Sequence, residues 1–360
     1  MKNLRPRTFA AVQLFTIRER FRIISKTKAA ILGATGAAGQ QFVEALKDHP
    51  WFEIAGLYAS ERSEGKPYGV AAKWFTSSPL QEDIASMTVG NVEKAVHDVD
   101  QYDLFFSALP SGLSKEMEGK FAQYKPVIST ASGFRYEDDV PILVPEVNAA
   151  HTELIKIQQE KRGWKGFVVP GPNCTTMGLI ISLKPIYEKF GVKSVFMTSM
   201  QALSGAGYPG HSSLDIVDNM IPFIAKEEGK VVLETVKTLG AISQGAIQNA
   251  DFPVSCTCTR VAVIDGHMLS IFVQTEKPCT PDDLKAAFAE FNDDCRKKFG
   301  DLPSSPKDVI FVKNEDNRPQ PRLDREIGGG MSTVVGRLRQ DEVFGVHGIK
   351  YVALSHNTKR

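Results

Sequence analysis

The stretch Pro170-Gly171-Pro172-Asn173-Cys174-Thr175-Thr176 has the clearest chemical potential in this 360-residue sequence. Two prolines and a glycine ahead of a cysteine specify a sharp turn. The apolar residues 164–169 before it read as a strand, and residues 177–190 after it read as a helix. Asn173 is a preferred N-cap residue, which puts Cys174 in the first helical turn. The positive end of a helix favours a thiolate, the form of cysteine that attacks carbonyl carbon. Free cysteines are more often buried and structural, but a turn this elaborate argues for a nucleophile. A thiolate needs a partner that moves protons. His267 closes Arg260-Val-Ala-Val-Ile-Asp265-Gly266-His267, read as a strand over 260–264 and a turn that presents the imidazole at its end.

A second chemical element lies near the start. Residues 28–32 read as a buried strand, Gly33-Ala34-Thr35-Gly36-Ala37-Ala38-Gly39 as a glycine turn, and 40–47 as a helix. Strand, glycine turn and helix together form the context in which such a motif holds a pyrophosphate. The next strand, 52–58, runs into Ala59-Ser60-Glu61-Arg62-Ser63. Glu61 is a carboxylate of the kind that holds a ribose hydroxyl. Ser60, Arg62 and Ser63 suit a 2′-phosphate, and they favour NADP over NAD. Residues 103–108 form another strand, which brings Ser107 to the cofactor side, and 126–129 a further one. This alternation predicts a Rossmann-like, doubly wound cofactor domain. The later strands at 194–201, 260–264, 268–274 and 331–338, with a helix near 281–291, predict an α+β catalytic domain with a mixed sheet.

Composition excludes other classes. Residues 1–28 carry eight basic side chains and one acid, and the remainder has a net charge of −6, which speaks against nucleic-acid binding. The basic segment 1–25 is read as an extension outside the folded body, either organelle-targeting or an upstream addition, and the protein is otherwise expected to be cytoplasmic. Five cysteines favour free thiols in a reducing compartment, and Cys256-Thr-Cys258 has the wrong spacing for a zinc site, so no metal is expected.

Six segments in order resemble the aspartate-semialdehyde dehydrogenases, in particular their archaeal and fungal branch, over about residues 26–360. They are the glycine turn, Val140-Pro-Ile-Leu-Val-Pro145-Glu146-Val147-Asn148, Gly171-Pro-Asn-Cys174-Thr-Thr, Gln201-Ala-Leu-Ser-Gly-Ala-Gly, Arg260 to His267, and Arg318-Pro-Gln-Pro-Arg-Leu-Asp-Arg325. The resemblance implies NADPH-dependent reductive dephosphorylation of L-aspartyl 4-phosphate to L-aspartate 4-semialdehyde, a step towards lysine, methionine and threonine. It implies Cys174 as nucleophile, His267 as acid/base and Gln201 as the amide that orients the carbonyl. It further implies Arg260 on the substrate carboxylate, Glu227 as the substrate glutamate, and Lys230 and Arg135 on phosphate. The Asn173 amide and the Cys174 N–H are expected to serve a developing oxyanion, and Asn357 to serve the cofactor. Three departures stand out: Thr130 replaces a usual Asn, Ala262 a usual Pro, and relatives continue past the position of Arg360 into a Gly-Ala-Ala-Gly turn and a last helix near the nicotinamide. The expected division is a cofactor domain at 26–165 plus 352–360 and a catalytic and oligomerisation domain at 166–351, assembled as a homodimer or homotetramer. A malonyl- or succinyl-thioester reductase on the same scaffold and a non-enzymatic homologue are the alternatives.

Overall fold

Apolar strands separated by glycine turns and helices form a parallel sheet in the first half of the chain. The computed structural model describes residues 25–76 and 78–360, so residues 1–24 of the expected extension lie outside the described residues. The strands are β1 (Thr27–Leu32), β2 (Phe52–Ala59), β3 (Val89–Asn91), β4 (Leu104–Ser107), β5 (Val127–Ser129) and β6 (Val168–Pro170). All are parallel, in the order β3-β2-β1-β4-β5-β6. Helix α1 (Ala37–Leu46) follows β1, and α2 (Ser111–Ala122) follows β4. Helices on both faces explain why the strands are apolar throughout rather than alternating. Ala30, Leu32, Phe105 and Phe121 fill one side; Ile31, Val43 and Leu57 fill the other. The order reverses between β1 and β4, the crevice in which such sheets bind ligands.

The second domain begins with α3 (Cys174–Phe190) and continues through β7 (Val192–Gln201), α4 (Glu227–Thr238) and a small hairpin of β8 (Ala241–Ser243) and β9 (Ala246–Gln248). After these come β10 (Val254–Arg260), β11 (His267–Thr275), α5 (Pro281–Phe299), β12 (Ile310–Val312), β13 (Thr333–Asp341) and β14 (Gly345–Ser355). The large sheet is mixed, with the order β10-β7-β11-β14-β13-β12. Helix α3 is apolar almost all round, and Leu179, Ile180, Leu183 and Ile186 are buried in a core with Met197, Leu269, Ile271 and Phe288. Strand β7 alternates buried and exposed residues, with Phe196 exposed, so one face of the sheet remains open.

Three expectations require correction. Strand β6 pairs with β5, Val127 opposite Val168, so the first domain extends to Pro170 and not to 165. Residues 352–355 belong to β14 in the second sheet, not to the cofactor domain. The strand expected over 260–264 instead ends at Arg260, because β10 pairs with β7 from Val254 onwards and residues 261–264 turn away.

Candidate active site

Strand register brings the chemistry together. Parallel pairing sets Arg260 opposite Gln201, the last residues of β10 and β7. Antiparallel pairing sets Met268 opposite Met200, which puts His267 at the same end of the sheet. Asn173 caps α3 as expected: its side-chain oxygen accepts from Thr175 N–H at 2.8 Å and Thr176 N–H at 3.2 Å. Cys174 is therefore the first residue of α3, and its Sγ lies 3.2 Å from His267 Nε2. A cavity of about 520 Å³ opens between the domains and is lined by Ala37, Thr130, Arg135, Asn173, Cys174 and Lys230, among others.

Buried charges hold this site. Glu227 Oε1 accepts from Asn173 Nδ2 at 2.9 Å, Gln201 Nε2 at 3.1 Å and Thr175 Oγ1 at 3.2 Å. Its Oε2 lies 3.8 Å from Lys230 Nζ. The Asn173 amide thus gives one N–H to Glu227, which leaves one for an oxyanion. Arg260 donates from Nη1 to Ala202 O at 2.6 Å, and its buried Nε has no protein partner. A guanidinium held by one arm with donors to spare suits a carboxylate. Ala202 also donates its N–H to His267 Nδ1 at 3.1 Å. The neutral ring therefore carries its proton on Nε2, toward Sγ.

The electrostatics work against one expectation. Burial pushes the Cys174 thiol up to about 12, with Glu227 adding to the rise; Arg135, Arg260 and the Thr175 N–H oppose it. Desolvation therefore outweighs the helix terminus that favours thiolate. Burial, then Arg260 and His356, pulls His267 down to about 3. Both shifts favour a thiol beside a neutral imidazole in the resting pair. Alkylation of Cys174 by iodoacetamide, with Cys174→Ser as background, is expected to rise about tenfold per pH unit from 7 to 9 with no plateau. A rate already level at pH 7 would show a preformed thiolate–imidazolium pair.

The remaining candidates divide. Gly33 has φ +80°, and a Cβ there would meet Ala108 O at 2.6 Å; a Cβ at Gly39 would stand 2.2 Å from Gly33 O. The N-terminus of α1 has no side-chain cap, so no side chain occupies the N–H groups that a phosphate cradle would use. Thr35 and Gly36 complete that turn and Ala37 and Ala38 open α1, three residues before the expected start at 40; Ser60, Arg62 and Ser63 follow β2, with Ser60 and Arg62 exposed. A dinucleotide carrying a 2′-phosphate fits these groups. Ser107 does not join them through its side chain: it is fully buried and its hydroxyl donates to Glu118 Oε1 at 2.6 Å. Asn357 accepts from Gly266 N–H and donates to Ser204 Oγ, both at 2.8 Å, so it braces the His267 turn at the edge of the cavity. Arg135 donates from Nη1 to Glu234 and from Nη2 to Thr130 O.

Sequence reasoning missed Gly205. A Cβ there would lie 2.8 Å from Arg260 Nη1 and 3.0 Å from His267 Nε2. Gly205→Ala is expected to displace both groups and lower kcat/KM for a carboxylated aldehyde about tenfold or more, with the melting temperature nearly unchanged. Steady-state kinetics beside a thermal melt check this; unchanged kinetics would show that the loop gives way freely. The signal available was the run Ser204-Gly205-Ala206-Gly207, whose small residues allow close approach.

Known proteins share the family and the fold of this chain. A family described as "Semialdehyde dehydrogenase, NAD binding domain" matches residues 28–155, and "Semialdehyde dehydrogenase, dimerisation domain" matches 183–360. An aspartate-semialdehyde dehydrogenase of Archaeoglobus fulgidus is 48% identical over 92% of this chain and 93% of its own. A malonyl CoA reductase (NADP) of Metallosphaera sedula is 38% identical over 92% of each chain. Among solved structures, aspartate semialdehyde dehydrogenase with NADP from Candida albicans superposes with a TM-score of 0.82 at 38% identity, over 93% of this chain and 94% of that one.

Proposed function

The chain belongs to the aspartate-semialdehyde dehydrogenase family, and from that premise we propose that it interconverts L-aspartyl 4-phosphate and L-aspartate 4-semialdehyde through a thioester on Cys174, with NADP as cofactor. The observation that carries the reading is the Cys174–His267 pair at 3.2 Å in a cavity that also presents Arg135 and Lys230.

In the oxidative direction Cys174 Sγ adds to the aldehyde carbon, and the thiol proton passes to the carbonyl oxygen, which gives a thiohemiacetal. NADP, when bound, takes up the hydride. His267 removes the hydroxyl proton, so the oxygen closes to a thioester carbonyl. Accepting that proton at Nε2 requires the Ala202 N–H to release Nδ1, because the ring's own proton must first move there. Burial and Arg260 keep the imidazolium unstable, so His267 hands the proton on readily to the departing thiolate. Phosphate between Arg135 and Lys230 attacks the thioester carbon and releases acyl phosphate and the Cys174 thiol. Arg260 holds the α-carboxylate, and Glu227 Oε2, whose sister oxygen is fully engaged, takes the α-ammonium. The reverse sequence makes the semialdehyde.

The open face of the second sheet and the dimerisation-domain match support a homodimer, or a homotetramer built from it. Among the described residues no helix is long and apolar enough to cross a membrane.

The test is reduction of NADP by the purified chain with aspartate semialdehyde, with and without phosphate, repeated with NAD and, in reverse, with malonyl-CoA. Phosphate-dependent reduction that prefers NADP supports the proposal. Activity confined to malonyl-CoA would move the chain to the reductase reading.

A further inference from the structure

Helix α4 carries Glu227, Lys230, Glu234 and Lys237 at spacings of three, four and three, so all four lie along one face. The first two line or brace the cavity. Glu234 does neither: it is 0% exposed and reaches no substrate space. Its Oε1 accepts from Arg135 Nη1 at 3.1 Å and Tyr136 OH at 3.0 Å, while Oε2 accepts the backbone N–H of Asn173. One turn on, Lys237 Nζ donates to Arg135 O at 2.8 Å and Glu137 O at 2.6 Å. A buried carboxylate is costly unless its partners are fixed. Here the partners are the residue before the nucleophile, from the catalytic domain, and a cation from the cofactor domain.

We propose that Glu234 is a positioning residue for the phosphate half-reaction, holding Arg135 at a fixed place relative to Cys174 across the domain boundary. The inference rests on the reading above that Arg135 receives phosphate. Its logic is geometric. Phosphate must meet the thioester carbon in line, and the two groups that place them come from different domains. Glu234 ties both to one side chain. Lys237 secures the backbone of Arg135 to the same helix. Arg135 keeps its buried Nε unpartnered, a donor left for the anion.

Charge and position predict opposite signs, which makes the idea testable. Glu234 neutralises part of the Arg135 charge, so Glu234→Gln should by electrostatics alone strengthen phosphate attraction. All three groups facing Glu234 are donors in the native contacts. A Gln amide must therefore turn its NH₂ toward one of them, and either Arg135 or Asn173 loses its acceptor.

The experiment measures kcat/KM for phosphate at saturating aspartate semialdehyde and NADP. It compares the unmodified chain, Glu234→Gln, Arg135→Ala and the double variant. Glu234→Gln is expected to lower this quantity about tenfold or more, and about threefold or less in the Arg135→Ala background, since the pair acts as one unit. Tyr136→Phe deletes a single hydroxyl from a half-exposed ring and decides the matter if Glu234→Gln fails to fold. It is expected to lower kcat/KM for phosphate about two- to fivefold while leaving the KM for aldehyde unchanged. An unchanged or raised kcat/KM for phosphate in the folded variants would overturn the inference, as would an equal loss in both Arg135 backgrounds. If the unmodified chain itself shows no phosphate dependence, the functional reading fails, and this inference falls with it.

Discussion

Cys174→Ser is expected to lower kcat by roughly 10⁴-fold or more, with NADP affinity and melting temperature close to those of the unmodified chain. Oxygen is the same shape of group in nearly the same place, so the turn through Pro172 and Asn173 and the cap of α3 persist. What disappears is a polarisable nucleophile and a good leaving group. Even the native thiol is raised to about 12 by burial, and a serine hydroxyl in that position ionises far less. The neighbouring imidazole, held down at about 3 by burial, is too weak a base to restore that reactivity. Steady-state kinetics with a cofactor titration would check this. A variant within tenfold of the native rate would remove Cys174 from the chemistry.

The second large effect is expected at His267. His267→Gln keeps bulk and an N–H donor but cannot exchange a proton, and kcat should fall by roughly 10²–10⁴-fold. KM for the aldehyde should change little, because the carboxylate site proposed at Arg260 is held through Ala202 O and not through the imidazole. The loss should be larger for hydride transfer than for alkylation of Cys174. The first requires removal of a hydroxyl proton, whereas in the second the thiol can lose its proton to solvent. Rapid mixing with aspartate semialdehyde and NADP, beside iodoacetamide kinetics, separates the two. A rise in KM alone would assign His267 to substrate binding.

Local grammar made much of this legible in advance. The turn before Cys174, the capped start of α3 and the glycine turn before α1 are specified by residues adjacent in sequence; the first two stand where they were expected, and the glycine turn is shorter than expected, because α1 begins at Ala37 and not at 40. The parallel and mixed sheets followed from alternation of element types. What required the structure was long-range. Nothing in the sequence of α4 singles out Glu234 and Lys237, because the residues that cover its polar face lie about 100 positions earlier. Arg260 was expected to begin a strand that it ends, since Val-Ala-Val-Ile after it is as apolar as the true strand before it. Ser107 was assigned to the cofactor from its place at a strand end. Alternation along β4 instead turns its side chain inward to Glu118. The thiol was expected to be acidified by its helix, a local effect; its burial is a property of the assembled domains.

The central claim is a covalent acyl-enzyme on Cys174. Mixing the protein with aspartate semialdehyde and NADP in phosphate-free buffer, quenching in acid and mapping peptides by mass spectrometry tests it directly. The account predicts an aspartyl adduct on the peptide containing Cys174, formed in step with NADP reduction and lost when phosphate is added before the quench. NADP reduction with Cys174 unmodified, or an adduct carried by another residue, would contradict it.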